Sequence, residues 1–259
     1  MTTATQTGPR LAARTAIVTG STSGIGAAIA RALAAEGASV VVSGRDADRG
    51  RDVVGDIAAA GGRAVFVPSN LAGSYASLRD FAAAAATALG GRVDILVNNA
   101  GLYPATLTPD LPDADLDAML AVNVRAPHVL VAELAPAMAG RGSGVIVNIG
   151  SWMARTGSPF AALYTATKAA CEQLTRAWAA EFGPRGVRVN TVAPGATLTP
   201  GNETAKDVIE QLTAATPAGV PVQPADVAGA VVFVASDAAS MMHGTIIDVD
   251  GGISATRPG

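Results

Sequence analysis

The sequence predicts an α/β protein: a doubly wound, seven-stranded parallel sheet with helices on both faces. Two observations carry this. Seven short runs rich in β-branched residues are apolar almost throughout rather than alternating, at 15–19, 39–44, 64–67, 94–98, 144–150, 187–192 and 245–249. Strands covered on both faces read this way. Between them lie alanine-rich segments with helical spacing, near 24–36, 47–60, 74–89, 113–140, 158–182 and 224–236. A β-α-β-α order implies right-handed crossovers and helices on either side of one sheet.

No linker, repeat or low-complexity stretch divides the 259 residues, so one domain is expected over 11–259, preceded by a loose polar tail at 1–10. A net charge of -3 without a basic run offers no footprint for nucleic acid or an anionic membrane. No uninterrupted apolar run reaches the ~18 residues of a membrane span. The polar start "MTTATQTGPR" lacks the apolar core of a secretory signal. Cys171 is the only cysteine, which excludes an intramolecular disulfide and suits a reducing, cytoplasmic setting. Its apolar helical context assigns it to packing. His128 and His243 stand in no ligand spacing, and no metal site is expected. One stretch differs in character: 195–219 is turn-rich, then briefly amphipathic, as a mobile lid would be.

The first strand, turn and helix read "IVTGSTSGIGAAIARALAAEG". Gly20, Gly24 and Gly26 let the backbone turn tightly and approach a pyrophosphate, to which the next helix offers its first N–H groups. The spacing G-x-x-x-G-x-G departs from the commoner G-x-G-x-x-G. At the end of the second strand, where an NAD-selective site places a carboxylate on the ribose 2′-hydroxyl, stand Gly44 and Arg45. A guanidinium binds a 2′-phosphate through charge-assisted hydrogen bonds, which favours NADP(H) over NAD(H). A solvated loop arginine in an NAD protein is the other reading.

Tyr164 and Lys168 stand four apart in "YTATK", on one helix face with Cβ atoms ~5–6 Å apart. Proton exchange at an alcohol or carbonyl oxygen needs a tyrosine acidic near neutrality, a preference for phenolate of roughly 4 kcal/mol. A neighbouring ammonium in a partly dry pocket supplies a contribution of that order. Taken alone, the pair equally fits the wet side of an amphipathic helix. Pro127, four residues after Asn123, lacks the N–H that an α-helix would aim at the Asn123 carbonyl. A kink is expected there, with that carbonyl free to hold a water.

Four stretches now coincide: "TGSTSGIG" at 19–26, "NNAG" at 98–101, Ser151 ahead of "YTATK" at 164–168, and "VNTVAPGATLTP" at 189–200. Together they resemble the one-domain short-chain dehydrogenase/reductase family, over nearly the whole chain. The resemblance implies a Rossmann-like fold and an oxidoreductase that exchanges a hydride between a nicotinamide and a ketone or secondary alcohol. It implies a tetrad of Asn123, Ser151, Tyr164 and Lys168, with Tyr164 as general acid/base. It further implies cofactor contacts from Gly20, Ser21, Ser23, Gly24, Ile25, Gly26, Arg45, Asn70, Leu71, Asn98, Ala100 and Gly101. Tyr164, Lys168, Pro194, Gly195, Thr197 and Thr199 complete that set. Asn70 stands where many relatives have an adenine-clasping Asp.

Tyr103, Trp152, Met153, Phe160 and Leu198, with Leu102 nearby, are expected to line a pocket for a neutral, rather apolar small molecule. A 3-oxoacyl thioester reductase acting on an acyl carrier protein is the alternative, weakened because Pro136 and Ala180 stand where docking arginines are expected. A cofactor-sensing protein without turnover is a third reading, opposed by the intact tetrad. A homotetramer built on the two long helices is what the family implies.

Overall fold

The structure is a computed structural model and describes residues 8–256. Residues 1–7 of the expected tail lie outside the described residues. Arg10 is held: its backbone N–H donates to Glu36 Oε2 at 2.9 Å, and its guanidinium pairs with Glu36 Oε1 at 2.5 Å.

Strands β1 (Thr15–Val18), β2 (Ser39–Gly44), β3 (Arg63–Pro68), β4 (Ile95–Asn98), β5 (Gly144–Ile149), β6 (Val187–Pro194) and β7 (Ile246–Val249) form one sheet in the order β3-β2-β1-β4-β5-β6-β7. Every pairing is parallel. Parallel strands turn successive side chains to opposite faces, and over the central strands both faces are buried. Ala16, Val18, Val40, Val42, Ile95 and Val97 pack under α1 (Gly24–Ala35), α2 (Ala47–Ala59) and α8 (Pro224–Ala235). Ile17, Val41, Leu96, Ile146 and Val189 pack under α3 (Tyr75–Ala88), α5 (Ala126–Gly140) and α6 (Ala162–Phe182). That is why the strands lack a polar alternation.

The order reverses between β1 and its two neighbours, since the chain winds outward to β3 and then returns to β4. The crossover helices diverge at such a point and leave a crevice at the carboxyl ends of the strands. The glycine turn after β1 and the "NNAG" turn after β4 meet there.

Two expected stretches take a more particular form. The helix expected over 113–140 is α4 (Asp113–Leu120), a π-helical segment (Ala121–Arg125) and α5 in direct succession. Pro127 removes the donor of an i→i−4 bond and the helix widens just before it: Ala126 N–H donates to the Ala121 carbonyl, five residues back. As a continuous helix, Asp113–Gly140 also contains an 18-residue window of mean hydropathy 1.3, so the sequence does carry a stretch of spanning length and apolarity. Most of that window, 61%, is buried against the rest of the protein, which accounts for its composition. Within the stretch expected as a lid, a 3-10 turn and α7 (Lys206–Ala214) follow a braced loop. Asn202 holds that loop, accepting from Thr199 N–H at 2.7 Å and donating to the Thr197 carbonyl at 2.9 Å.

Candidate active site and dinucleotide cleft

A cleft of about 420 Å³ opens at the crevice. Gly20, Ser23, Gly24, Ile25, Gly26, Arg45, Asn70, Leu71, Ala100, Gly101 and Thr199 line it. Gly20 (φ +62°) and Gly24 (φ +54°) adopt the left-handed conformation that favours glycine. A Cβ on Gly26 would stand 2.3 Å from the Gly20 carbonyl oxygen and 2.4 Å from Asn99 Nδ2, so only glycine lets α1 start this close to the turn. Ser23, the N-cap of α1, makes no side-chain capping bond, and the first turn carries no acidic residue. The helix N-terminus therefore faces the cleft with its N–H groups uncapped by a side chain, as an anionic pyrophosphate requires. The residues present fit a dinucleotide.

Some expected residues sit elsewhere. Ser21 is fully buried and structural: its hydroxyl donates to the Val18 carbonyl at 2.7 Å and accepts from Ser43 N–H at 2.9 Å. Asn98 points back into the sheet and donates to Asn148 Oδ1 at 2.9 Å. Asn99 faces the cleft instead and holds the glycine turn, with Nδ2 donating to the Thr19 and Gly20 carbonyls at 2.8 and 3.1 Å. Successive side chains at a strand end point opposite ways, and the double asparagine alone does not say which one turns inward. Pro194 and Thr197 are buried beside the cleft, while Gly195 packs its backbone on Asp250, where a Cβ would meet the Asp250 Cα at 2.6 Å. Sequence reading missed Thr22, Asp46, Arg49, Ser69 and Val122 on the cleft wall. At the ribose end Arg45 is exposed, and Arg49 reaches Asp46 through Nε at 2.7 Å. A Cβ on Gly44 would lie 2.7 Å from Thr22 Cγ2, so a carboxylate there would have to displace Thr22.

Lys168 stands near Asn123 and Tyr164 just beyond this cleft. Gly101 joins the two regions: it lines the cleft, and a Cβ added to it would lie 3.5 Å from Lys168 Nζ and 3.6 Å from Asn123 Oδ1. Lys168 is buried, and its Nζ donates to the Ile149 carbonyl at the end of β5 at 2.8 Å. The same Nζ stands 5.7 Å from the centre of the Tyr164 ring, so the pair does share a helix face. Ser151 follows β5 as the N-cap of a 3-10 turn (Trp152–Arg155), its Oγ accepting from Met153 N–H at 3.2 Å.

Asn123 contributes its side chain as a brace. Its Oδ1 accepts from Leu102 N–H at 2.8 Å, and its Nδ2 donates to the Leu102 carbonyl at 3.0 Å and to Thr167 Oγ1 at 3.1 Å. The signal for this was absent from the local sequence, since the bonded partners are 21 and 44 residues away.

Among the expected pocket residues, Tyr103 packs on Tyr164 with ring centres 4.6 Å apart. Trp152 and Met153 occupy the turn after Ser151, partly buried. Phe160 is exposed ahead of α6, and Leu198 is half-buried with its N–H on the Val222 carbonyl at 3.2 Å. A second charged group lies one turn past Lys168. Buried Glu172 faces Arg155 Nε at 3.3 Å, and Arg155 also pairs with Asp248 of β7. This cluster ties the turn after Ser151 to α6 and to the edge strand.

Known proteins match this chain along almost its whole length. The family described as enoyl-(acyl carrier protein) reductase matches residues 20–254. The 2,5-dichloro-2,5-cyclohexadiene-1,4-diol dehydrogenase of Sphingobium indicum is 38% identical over 95% of this chain and 98% of its own. A solved 7α-hydroxysteroid dehydrogenase, complexed with NADH and 7-oxo glycochenodeoxycholic acid, is 39% identical over 94% of this chain and 95% of its own, with a TM-score of 0.89. A Beutenbergia cavernae structure with bound NADP at low occupancy is 41% identical over 96% of this chain and 100% of its own, with a TM-score of 0.90. The chain belongs to the short-chain dehydrogenase/reductase family and is an NAD(P)-dependent oxidoreductase of carbonyl and alcohol groups.

Proposed function

We propose that the protein interconverts a neutral, largely apolar ketone and its secondary alcohol, with a ring-borne carbinol as the preferred substrate, and that it prefers NADP(H). In this reading Tyr164 donates or accepts the proton at the substrate oxygen, and the bound nicotinamide supplies or takes up the hydride. Lys168 lends positive charge to the tyrosine ring and keeps its remaining N–H groups for the ribose. Ser151 holds the substrate oxygen, and Asn123 keeps the "NNAG" turn locked to α6. The observation that carries the reading is the placement of Lys168 Nζ, 2.8 Å from the Ile149 carbonyl and 5.7 Å from the Tyr164 ring centre. One buried cation is thereby fixed between the end of β5, which leads to Ser151, and the tyrosine.

The preference for NADP(H) rests on two arginines, Arg45 and Arg49, on the ribose wall, and on Gly44 where a carboxylate would collide with Thr22. Reduction is the direction that cofactor favours. The names of the Sphingobium enzyme and the hydroxysteroid dehydrogenase describe ring alcohols, which supports that substrate class. A carrier-protein thioester is less well supported, because exposed Pro136 and Ala180 leave the long helices without cations at those positions. We also assign a cytoplasmic, homotetrameric protein without nucleic-acid or membrane partners.

The test is consumption of NADPH and of NADH with a panel of cyclic ketones, linear ketones, aldehydes and 3-oxoacyl thioesters. Greatest kcat/KM with NADPH and a cyclic ketone is expected, and Arg45→Ala should raise the KM for NADPH roughly 10-fold while leaving NADH unchanged. Equal use of the two cofactors by the wild-type enzyme, or a thioester as the best substrate, would contradict the proposal.

A further inference from the structure

Tyr103 and Tyr164 come from different elements, the segment after β4 and the first turn of α6. Their ring centres are nevertheless 4.6 Å apart, with the planes tilted by 60°. That lies within the tilted, edge-directed geometry that aromatic pairs prefer. The residue before Tyr103 is fixed at both of its backbone polar groups, since Leu102 N–H and carbonyl bond to Asn123 Oδ1 and Nδ2 at 2.8 and 3.0 Å. The same Nδ2 donates to Thr167 Oγ1 at 3.1 Å, and the Thr167 hydroxyl donates to the Tyr164 carbonyl at 2.7 Å. A closed circuit results. One amide sets the backbone beside Tyr103 and braces the turn that carries Tyr164, and the two rings meet across the gap.

We propose that Tyr103 is a positioning residue for Tyr164, its ring acting as the wall that holds the Tyr164 phenol in one orientation beside the dinucleotide cleft. The inference rests on the reading of Tyr164 as the proton-exchanging group. Tyr103 is 51% exposed, so one part of its ring packs on Tyr164 while the rest meets solvent. Burial first, and then charge on Tyr164, push the Tyr103 hydroxyl up from its ordinary value. Tyr103 therefore stays a neutral phenol and serves as a wall rather than a second acid.

The experiment compares Tyr103→Phe, Tyr103→Leu, Tyr103→Ala and Tyr164→Phe, using NADPH and the panel ketone that the wild-type enzyme reduces fastest. It reads kcat, KM, NADPH affinity by fluorescence and melting temperature. Tyr103→Phe keeps the ring and should stay within about twofold of wild type. Tyr103→Ala, and Tyr103→Leu with its apolar bulk retained, should lose roughly 10- to 100-fold in kcat, the scale of a slightly misplaced reacting group. NADPH affinity and melting temperature should change little. Wild-type kcat in the Ala and Leu variants, an effect confined to KM, or a Phe variant as impaired as Ala would each overturn the proposal. If Tyr164→Phe itself turns over normally, the underlying reading of Tyr164 fails, which is a separate result.

Discussion

At the scale of single residues, the site is built from groups that have given up alternatives. Lys168 is buried with its ammonium on a backbone carbonyl, and Asn123 spends its whole amide on Leu102 and Thr167. Glu172 is the least settled of these groups. Its carboxylate lies 3.3 Å from Arg155 Nε, yet Oε1 is not aligned for a hydrogen bond. Burial pushes the Glu172 carboxyl up, opposed by Arg155 and Arg176 and reinforced by Asp248. An acid raised in the fold holds its proton more tightly folded than unfolded. From the unfolded value of ~4.3 upward the unfolded chain releases its proton first, so stability falls with pH until the folded group has also ionised. Glu172→Gln removes that loss while keeping the size and shape of the side chain. Its urea midpoint should exceed that of wild type at neutral pH, with the difference closing below pH ~4. A variant less stable at neutral pH would show that the ionised pair is a net stabiliser.

At the scale of elements, the π-helical segment at Ala121–Arg125 matters most for the site, because it carries Asn123. Its cause is Pro127, and Pro127→Ala tests that. The substitution returns an N–H that can bond to the Asn123 carbonyl, so the melting temperature should rise or stay level. Turnover should fall severalfold as Asn123 and the "NNAG" turn shift together. Unchanged turnover would mean that the widened turn has no part in the activity.

The break at Pro127 was legible in the sequence, but its form was not. A proline announces a missing donor, whereas the choice between a kink and a π turn depends on how the α4–α5 helix packs against α3 and α6. The strands were legible for a plainer reason: burial on both faces leaves a nearly continuous apolar run, as in β1 and β5. Helix α6 starts at Ala162 rather than 158, because Pro159 and the exposed Phe160 belong to the loop before it. The choice between Asn98 and Asn99 turned on which side of a strand end faces the crevice, which depends on the register with β1 and β5.

At the scale of the whole molecule, the reversal of strand order beside β1 decides where everything happens. It opens the crevice, and the turns after β1 and β4 supply its glycines and its asparagine. What short sequence windows could not show were the long-range ties that make the crevice rigid, such as Arg155 linking the turn after Ser151 to Glu172 and Asp248. Helices α5 and α6 expose small side chains at Ala132, Ala137, Ala177 and Ala180, suited to close helix packing between copies. Light scattering should give a particle of four 25.6 kDa chains at micromolar concentration. A monomer that turns over fully would contradict the proposed assembly without touching the chemistry.

The chemistry is tested most directly by Tyr164→Phe, which removes one oxygen and keeps the ring that packs on Tyr103. With NADPH and the fastest panel ketone, kcat should fall by about 10²- to 10⁴-fold, the range lost with a general acid. The dissociation constant of NADPH, read by fluorescence, should stay within a few-fold of wild type. Turnover at the wild-type rate in this variant would contradict the assignment of the proton to Tyr164, and with it the account of why Lys168 is buried at its side.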